Sequence, residues 1–176
     1  MPTAVLLAGP NGAGKTTFIN QFLRERAAAF HFVNSDEVAR DLVIPGLDPG
    51  TAGPNRDLAA GRLVLERLDE LAAARADFVL ETTLATRSHA VRIREWKAAG
   101  YRVELAYLRL PSVEHSIARV ARRIAQGGHG IPEDRLRRRF PLSLEYLETV
   151  YKPLVDSWEL YLGGDGPPQL LDWGPR

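Results

Sequence analysis

The residues best suited to chemistry are Gly9-Pro10-Asn11-Gly12-Ala13-Gly14-Lys15-Thr16. They match G-x-x-x-x-G-K-T, the phosphate-binding P-loop. In that pattern the glycines let successive backbone N–H groups curl around a phosphate, and the positive end of the following helix adds to the attraction. Lys15 is placed to reach the β- and γ-phosphates of ATP, and the Thr16 hydroxyl to ligate Mg²⁺. Thr17 extends the cradle. A G-x-G-x-x-G dinucleotide site is excluded, because Gly12 and Gly14 are followed by Thr17 where a third glycine is needed.

Two acids join this loop. Asp36 follows the short run His31-Phe32-Val33-Asn34, and Glu81 closes Asp77-Phe78-Val79-Leu80-Glu81. Open α/β sheets bind ligands beyond the carboxyl ends of their strands, so both acids are expected beside the P-loop. Asp36 also suits a helix N-terminus on dipole grounds alone. Glu81 would hold Mg²⁺, directly or through water, or grip a substrate hydroxyl. Thr82, Thr83 and Thr86 offer hydroxyls to a polar ligand, or else cap the helix that starts near Ser88.

The remaining candidates are arginines. Arg119, Arg122, Arg123, Arg135, Arg137, Arg138 and Arg139 crowd two short predicted helices on either side of Gly127-Gly128. Arg119 and Arg123 are four residues apart and share a helix face. A loose phosphoryl-transfer transition state spreads negative charge over three oxygens, which arginine stabilises. The segment from about residue 110 to 141 therefore reads as a lid over the triphosphate, with Gly127-Gly128 as its hinge. A solvated basic face is the plainer alternative. A nucleic-acid patch is disfavoured, because only Phe140 offers a base a ring to stack on.

The elements that must position these groups alternate. Ala4 to Ala8 is a short apolar run of the buried-strand type, and Thr17 to Ala29 a helix. Ser35-Asp36-Glu37 opens a short helix to about Leu42. Residues 43–54 are rich in Pro and Gly and read as a loop. Asn55 is placed to cap a helix with an apolar stripe from Val64 to Ala72. A helix from Ser88 to Ala99 turns Val91, Ile93 and Trp96 inward and stops at Gly100. Tyr101 to Leu108 is a strand with Tyr101, Val103, Leu105 and Tyr107 on one face. Ser112 caps the first arginine helix, which carries Val113, Ile117, Val120 and Ile124, and Pro132 opens the second. Leu144 to Leu162 is predicted as a long helix interrupted near Pro153, and Gln169 to Trp173 as a fifth strand. The expected architecture is one domain over residues 1–176: α/β, three-layer α/β/α, with a mainly parallel five-stranded sheet.

Bulk properties narrow the class. The chain has 176 residues and a net charge of +1, so it is no polycation despite its arginines. It has no cysteine, which excludes disulfides and thiolate metal sites. No stretch is long and apolar enough for a membrane helix, and a strand begins within a few residues of Met1, so a cytoplasmic location is expected.

The chain resembles the zeta-toxin family of small P-loop kinases. The resemblance rests on Gly9–Thr16, on Asn34-Ser35-Asp36-Glu37, on Glu81-Thr82-Thr83-Leu84, and on Arg119 through Arg123 to Gly127-Gly128-His129 and Ile131-Pro132, with Arg138-Arg139 behind. It implies an ATP- and Mg²⁺-dependent phosphotransferase. It assigns Asp36 as general base on a sugar hydroxyl, and Glu81, Thr82 and Thr83 to the acceptor. Arg119, Arg123 and Arg138 or Arg139 would be the lid arginines. The best-known members phosphorylate the 3′-hydroxyl of the amino sugar of UDP-N-acetylglucosamine and are restrained by a small antitoxin protein. This shorter chain looks closer to a compact branch. Two other classes fit the same residues: a polynucleotide or nucleoside kinase, and a nucleotide-dependent module that switches a protein partner.

Overall fold

The structure, a computed structural model, describes residues 1–22, 30–34, 38, 54–128 and 130–175. Its sheet is built outward from β1 (Thr3–Ala8), paired in parallel with β3 (Phe78–Thr82) on one side and β4 (Arg102–Arg109) on the other. A strand flanked on both edges and covered on both faces has no side for polar residues, which is why Val5, Leu6 and Leu7 run together. Beyond β3 lies β2 (His31–Asn34), also parallel. Beyond β4 lies β5 (Ser157–Leu162), parallel, and then β6 (Gln169–Gly174), antiparallel to β5. The order is β2-β3-β1-β4-β5-β6.

Two apolar clusters sandwich this sheet. On one face Ala4, Leu6, Phe78, Leu80, Val103, Leu105 and Tyr107 pack against α2 (Pro54–Ala73) and α3 (His89–Ala98), through Val64, Leu68, Ile93 and Trp96. On the other face Leu7, Val79, Ala106 and Leu108 pack against Phe18 of α1 (Lys15–Phe22), with Phe140 and Tyr161 at the margin. The result is the expected three-layer α/β/α sandwich. Α4 (Val113–Ala125) and α5 (Glu133–Tyr146) are the two arginine-bearing helices, and a π-helical turn (Leu147–Tyr151) continues α5. Among the described residues no helix is long and apolar enough to cross a membrane.

Several local expectations are met. Ser112 caps α4, accepting from the His115 amide at 3.4 Å. Gly100 stops α3 with a φ of 82°. Tyr101, Val103, Leu105 and Tyr107 line one face.

Others are corrected. The sheet has six strands, not five. The predicted helix over Leu144–Leu162 ends at Tyr151, and Ser157 to Leu162 is a strand hydrogen-bonded between β4 and β6. Leu144, Leu147, Val150, Tyr151, Leu154, Val155 and Trp158 keep a helical spacing past Pro153, yet pairing with β4 overrides it: the Asp156 amide donates to Val103 O at 2.8 Å and starts the strand. Val91 and Ile124 face solvent at 58% and 48% exposure. Α2 begins at Pro54, one residue ahead of Asn55. The α1 helix starts at Lys15, earlier than Thr17.

Candidate active site

The P-loop leaves β1 at Gly9 and enters α1 at Lys15. Gly9 has a φ of +142°, and a Cβ there would stand 2.3 Å from the Leu108 carbonyl oxygen, so only glycine lets the loop cross the end of β4. Lys15 is buried, with Nζ donating to Gly9 O at 3.0 Å and Pro10 O at 3.2 Å. Its charge is met by Glu81 Oε1 at 3.8 Å.

Glu81 is the hub of the site floor. Strand β3 lies between β1 and β2, so its carboxyl end falls beside the loop. The Glu81 Oε2 atom accepts from Thr16 Oγ1 at 3.5 Å and from Asn34 Nδ2 at 3.1 Å. One carboxylate and one hydroxyl at the mouth of a phosphate cradle form an all-oxygen donor set of the kind Mg²⁺ takes together with substrate phosphates. The residues present fit that ion, and Thr16 with Glu81 would hold it.

The roof comes from α4. Ser116 Oγ donates to Asn11 O at 2.6 Å, and Arg119 Nε donates to Gly12 O at 2.5 Å. The first arginine helix is therefore docked on the P-loop. A Cβ on Gly12, whose φ is +78°, would meet Arg119 Cβ at 3.1 Å and Ser116 O at 3.2 Å. Loop and roof enclose a cavity of about 350 Å³ lined by Lys15, Thr16, Thr17, Glu81, Arg119 and Arg123, among others. A second cavity of about 380 Å³ adjoins it, sharing Arg119, Arg122 and Asp165, with Leu110, His115 and Leu162 among its other walls.

The structure thus brings Gly12, Gly14, Lys15, Thr16, Thr17, Glu81, Arg119 and Arg123 into one cavity wall. Gly9, Pro10 and Ala13 form the turn behind them, with Ala13 N donating to Pro10 O at 3.1 Å. Thr82 and Thr83 follow Glu81 but do not line that cavity. The Thr82 hydroxyl accepts from Leu84 N at 3.2 Å and meets His89 Nε2 at 3.4 Å. The Thr83 carbonyl accepts from Ser143 Oγ, whose neighbour is the buried Tyr107 hydroxyl at 2.7 Å. These bonds hold a turn in which Leu84, fully buried, has a φ of +53°. Burial, aided by the Arg92 charge, lowers His89 to about 4. Arg138 is exposed and Arg139 half-buried, and neither is in the cavity wall. Asp36, Ser35, Glu37 and His129 lie outside the described residues.

Sequence reasoning missed Ser116, Ser143 and Asp165, and gave Asn34 no role of its own within the motif it opens. Asp165 sits in Gly163-Gly164-Asp165-Gly166, a stretch that signals only a turn. Its partners Arg119 and Arg122 lie more than forty residues away, as the separations of 46 and 43 show, and no local pattern announces them.

A mainly parallel sheet with a P-loop at its centre, an acid on the neighbouring strand end and an arginine helix docked over the loop defines a P-loop kinase fold. Comparison narrows that class. The family model described as Zeta toxin matches residues 1–155. The chain belongs to the zeta toxin family. An uncharacterised protein of Haemophilus influenzae is 31% identical over 137 residues, covering 78% of this chain and 91% of that protein. Among solved structures, the fold matches AvrRxo1-ORF1:-ORF2 with ATP at a TM-score of 0.78 and 18% identity, covering 98% of this chain and 58% of that one. It matches the PezAT chromosomal toxin–antitoxin system of Streptococcus pneumoniae at a TM-score of 0.64 and 21% identity, covering 92% of this chain and 69% of that one. The chain therefore spans little more than half the length of the first of these structures.

Proposed function

We propose that the chain transfers the γ-phosphoryl group of ATP to a hydroxyl of a small acceptor, with a UDP-N-acetyl amino sugar as the first candidate. The observation that carries this reading is the convergence of Thr16, at 3.5 Å, and Lys15, at 3.8 Å, on the Glu81 carboxylate, on the floor of a cavity roofed by Arg119 and Arg123. Lys15 and the loop amides hold the β- and γ-phosphates, exchanging the carbonyl contacts of Lys15 for phosphate oxygens. The adjoining cavity takes the base and ribose. Arg119 and Arg123 offset the charge that develops on the transferring group. Mg²⁺, held by Thr16 with Glu81, supplies neutralisation of the phosphate oxygens when bound. Asp36 accepts the proton of the attacking hydroxyl. Asn34, the last residue of β2 and two residues earlier in sequence, is bonded to Glu81, and an acid that follows a strand's carboxyl end suits this role. Phosphoryl transfer rests mostly on positioning and electrostatics, so the base requires no strongly raised pKa. A small antitoxin protein is the partner this reading implies, and the likeness to PezAT supports it.

The test is incubation with γ-labelled ATP and a panel of sugar nucleotides, nucleosides and oligonucleotides, read by mass spectrometry. Label should move to one hydroxyl-bearing small molecule. Asp36→Asn should lose roughly 10²- to 10⁴-fold in turnover while still binding ATP. Wild-type turnover by that variant would remove Asp36 from the mechanism, and transfer to oligonucleotides alone would replace the acceptor class.

A further inference from the structure

The tip of the β5–β6 hairpin forms a third wall of the nucleotide site, although it lies beyond the segment, residues 1–155, that carries the family match. Its backbone is pressed onto the P-loop. The Gly163 amide donates to Arg109 O at 2.8 Å, and a Cβ on Gly163 would stand 2.6 Å from Ala13 O. Gly164 follows with a φ of +148°, a conformation open to glycine, and turns the chain so that Asp165 points back at α4. Asp165 Oδ1 accepts from Arg119 Nη1 at 2.5 Å and from Arg122 Nη1 at 3.0 Å. The same Asp165 lines both the phosphate cavity and the adjoining one.

Arg119 is therefore held at two places. Gly12 O takes Nε and Asp165 takes Nη1. A guanidinium has five N–H donors in a rigid plane, so two fixed acceptors set its orientation and leave the other donors for the cavity. Gly163, seated against the loop, anchors the hairpin two residues before Asp165.

The geometry points to Asp165 as a positioning residue for Arg119, one that orients the guanidinium for the planar phosphoryl group in flight rather than for ground-state ATP. The inference rests on the kinase reading above. Charge gives it a distinctive signature. A carboxylate beside the phosphate cavity repels ATP, so removing it leaves ATP binding unweakened. The same removal frees Arg119 to wander, and misplacing a catalytic group by about 1 Å costs up to roughly 10²-fold in the transition state. A residue that only propped the fold would weaken both.

Asp165→Ala and Asp165→Glu test this by titration with two probes in the presence of magnesium. One is a fluorescent ATP analogue; the other is the matching ADP analogue with aluminium fluoride, a mimic of the transferring group. Asp165→Ala, which removes the acceptor as well as the charge, should bind the ATP analogue as tightly as wild type or more tightly, and bind the mimic about ten- to a hundred-fold more weakly. Asp165→Glu should recover most of that loss, and thermal melting should show both variants folded. Equal loss for both probes, no loss for either, or failure of the glutamate to recover binding would overturn the assignment. A wild-type chain that binds the ATP analogue but not the mimic would overturn it too. A wild-type chain that binds neither probe would overturn the kinase reading itself.

Discussion

Replacing Ser143 by alanine should destabilise the protein and loosen the turn beyond Glu81 together. Ser143 is buried on α5, 1% exposed, and its only proton goes to the Thr83 carbonyl. The Tyr107 hydroxyl must then donate to Ser143 Oγ, giving a directed chain from Tyr107 through Ser143 to Thr83. Burial pushes Tyr107 up to about 12, so its hydroxyl stays a donor at any ordinary pH. Ser143→Ala orphans two buried polar groups at once, each costing about 1–3 kcal/mol. A net loss of about 2–4 kcal/mol follows, and at about 2–4 °C per kcal/mol for a chain of this size the melting temperature falls by about 5–15 °C. Tyr107→Phe leaves no orphan, because Ser143 keeps Thr83, and should cost about 1 kcal/mol. The double variant should cost less than the sum by about 1 kcal/mol, since the hydroxyl that Ser143→Ala strands is gone. Urea denaturation of the four proteins measures that coupling. Strict additivity, or a single Ser143→Ala cost below about 0.5 kcal/mol, would show that the relay is not made.

Other perturbations read out other parts of the site. His89 is lowered to about 4, chiefly by burial, and its Nδ1 has no partner among the described residues. Its contribution is complete above pH 6.5. As pH falls from 6.5 toward 4 the unfolded chain takes up a proton that the folded one refuses, so stability drops by about 1.4 kcal/mol per unit. Denaturation of His89→Gln against pH should lack that slope, and an unchanged slope refutes the assignment. Gly9→Ala combines a φ of +142° with a Cβ 2.3 Å from Leu108 O. It should lower stability by about 2–4 kcal/mol and abolish ATP binding, both visible in a thermal-shift titration with ATP. Glu81→Gln keeps the shape but removes the charge shared by Lys15, Thr16 and Asn34. It should raise the magnesium concentration needed for half-maximal turnover by about ten-fold, a shift of about 1.4 kcal/mol, and an unaltered magnesium titration would take the metal away from Glu81.

The local signals in the chain suffice for whatever depends on neighbours in sequence. Gly9 to Thr16 declares a phosphate cradle because backbone curvature, a lysine and a hydroxyl must follow one another at fixed spacing. The apolar run of β1, the cap at Ser112 and the stop at Gly100 are equally local events, and each is readable before any fold is known. The arginine helix is legible as a charge pattern, and the acid at the end of β3 as a strand-end residue.

Tertiary structure decided the rest, through hydrogen bonds and charges that join distant segments. The helical apolar spacing of residues 144–158 runs into Ser157–Leu162, whose own alternation of Trp158, Leu160 and Leu162 is too short to set the boundary until β4 and β6 offer backbone partners on both edges. Val91 and Ile124 fit an apolar stripe, yet both lie on solvent-facing sides of α3 and α4. Among the arginines, sequence could not separate Arg119, pinned between Gly12 and Asp165, from the exposed Arg138. Which guanidinium lines the P-loop cavity is set by where α4 lands on the P-loop, and that is a property of the packed chain.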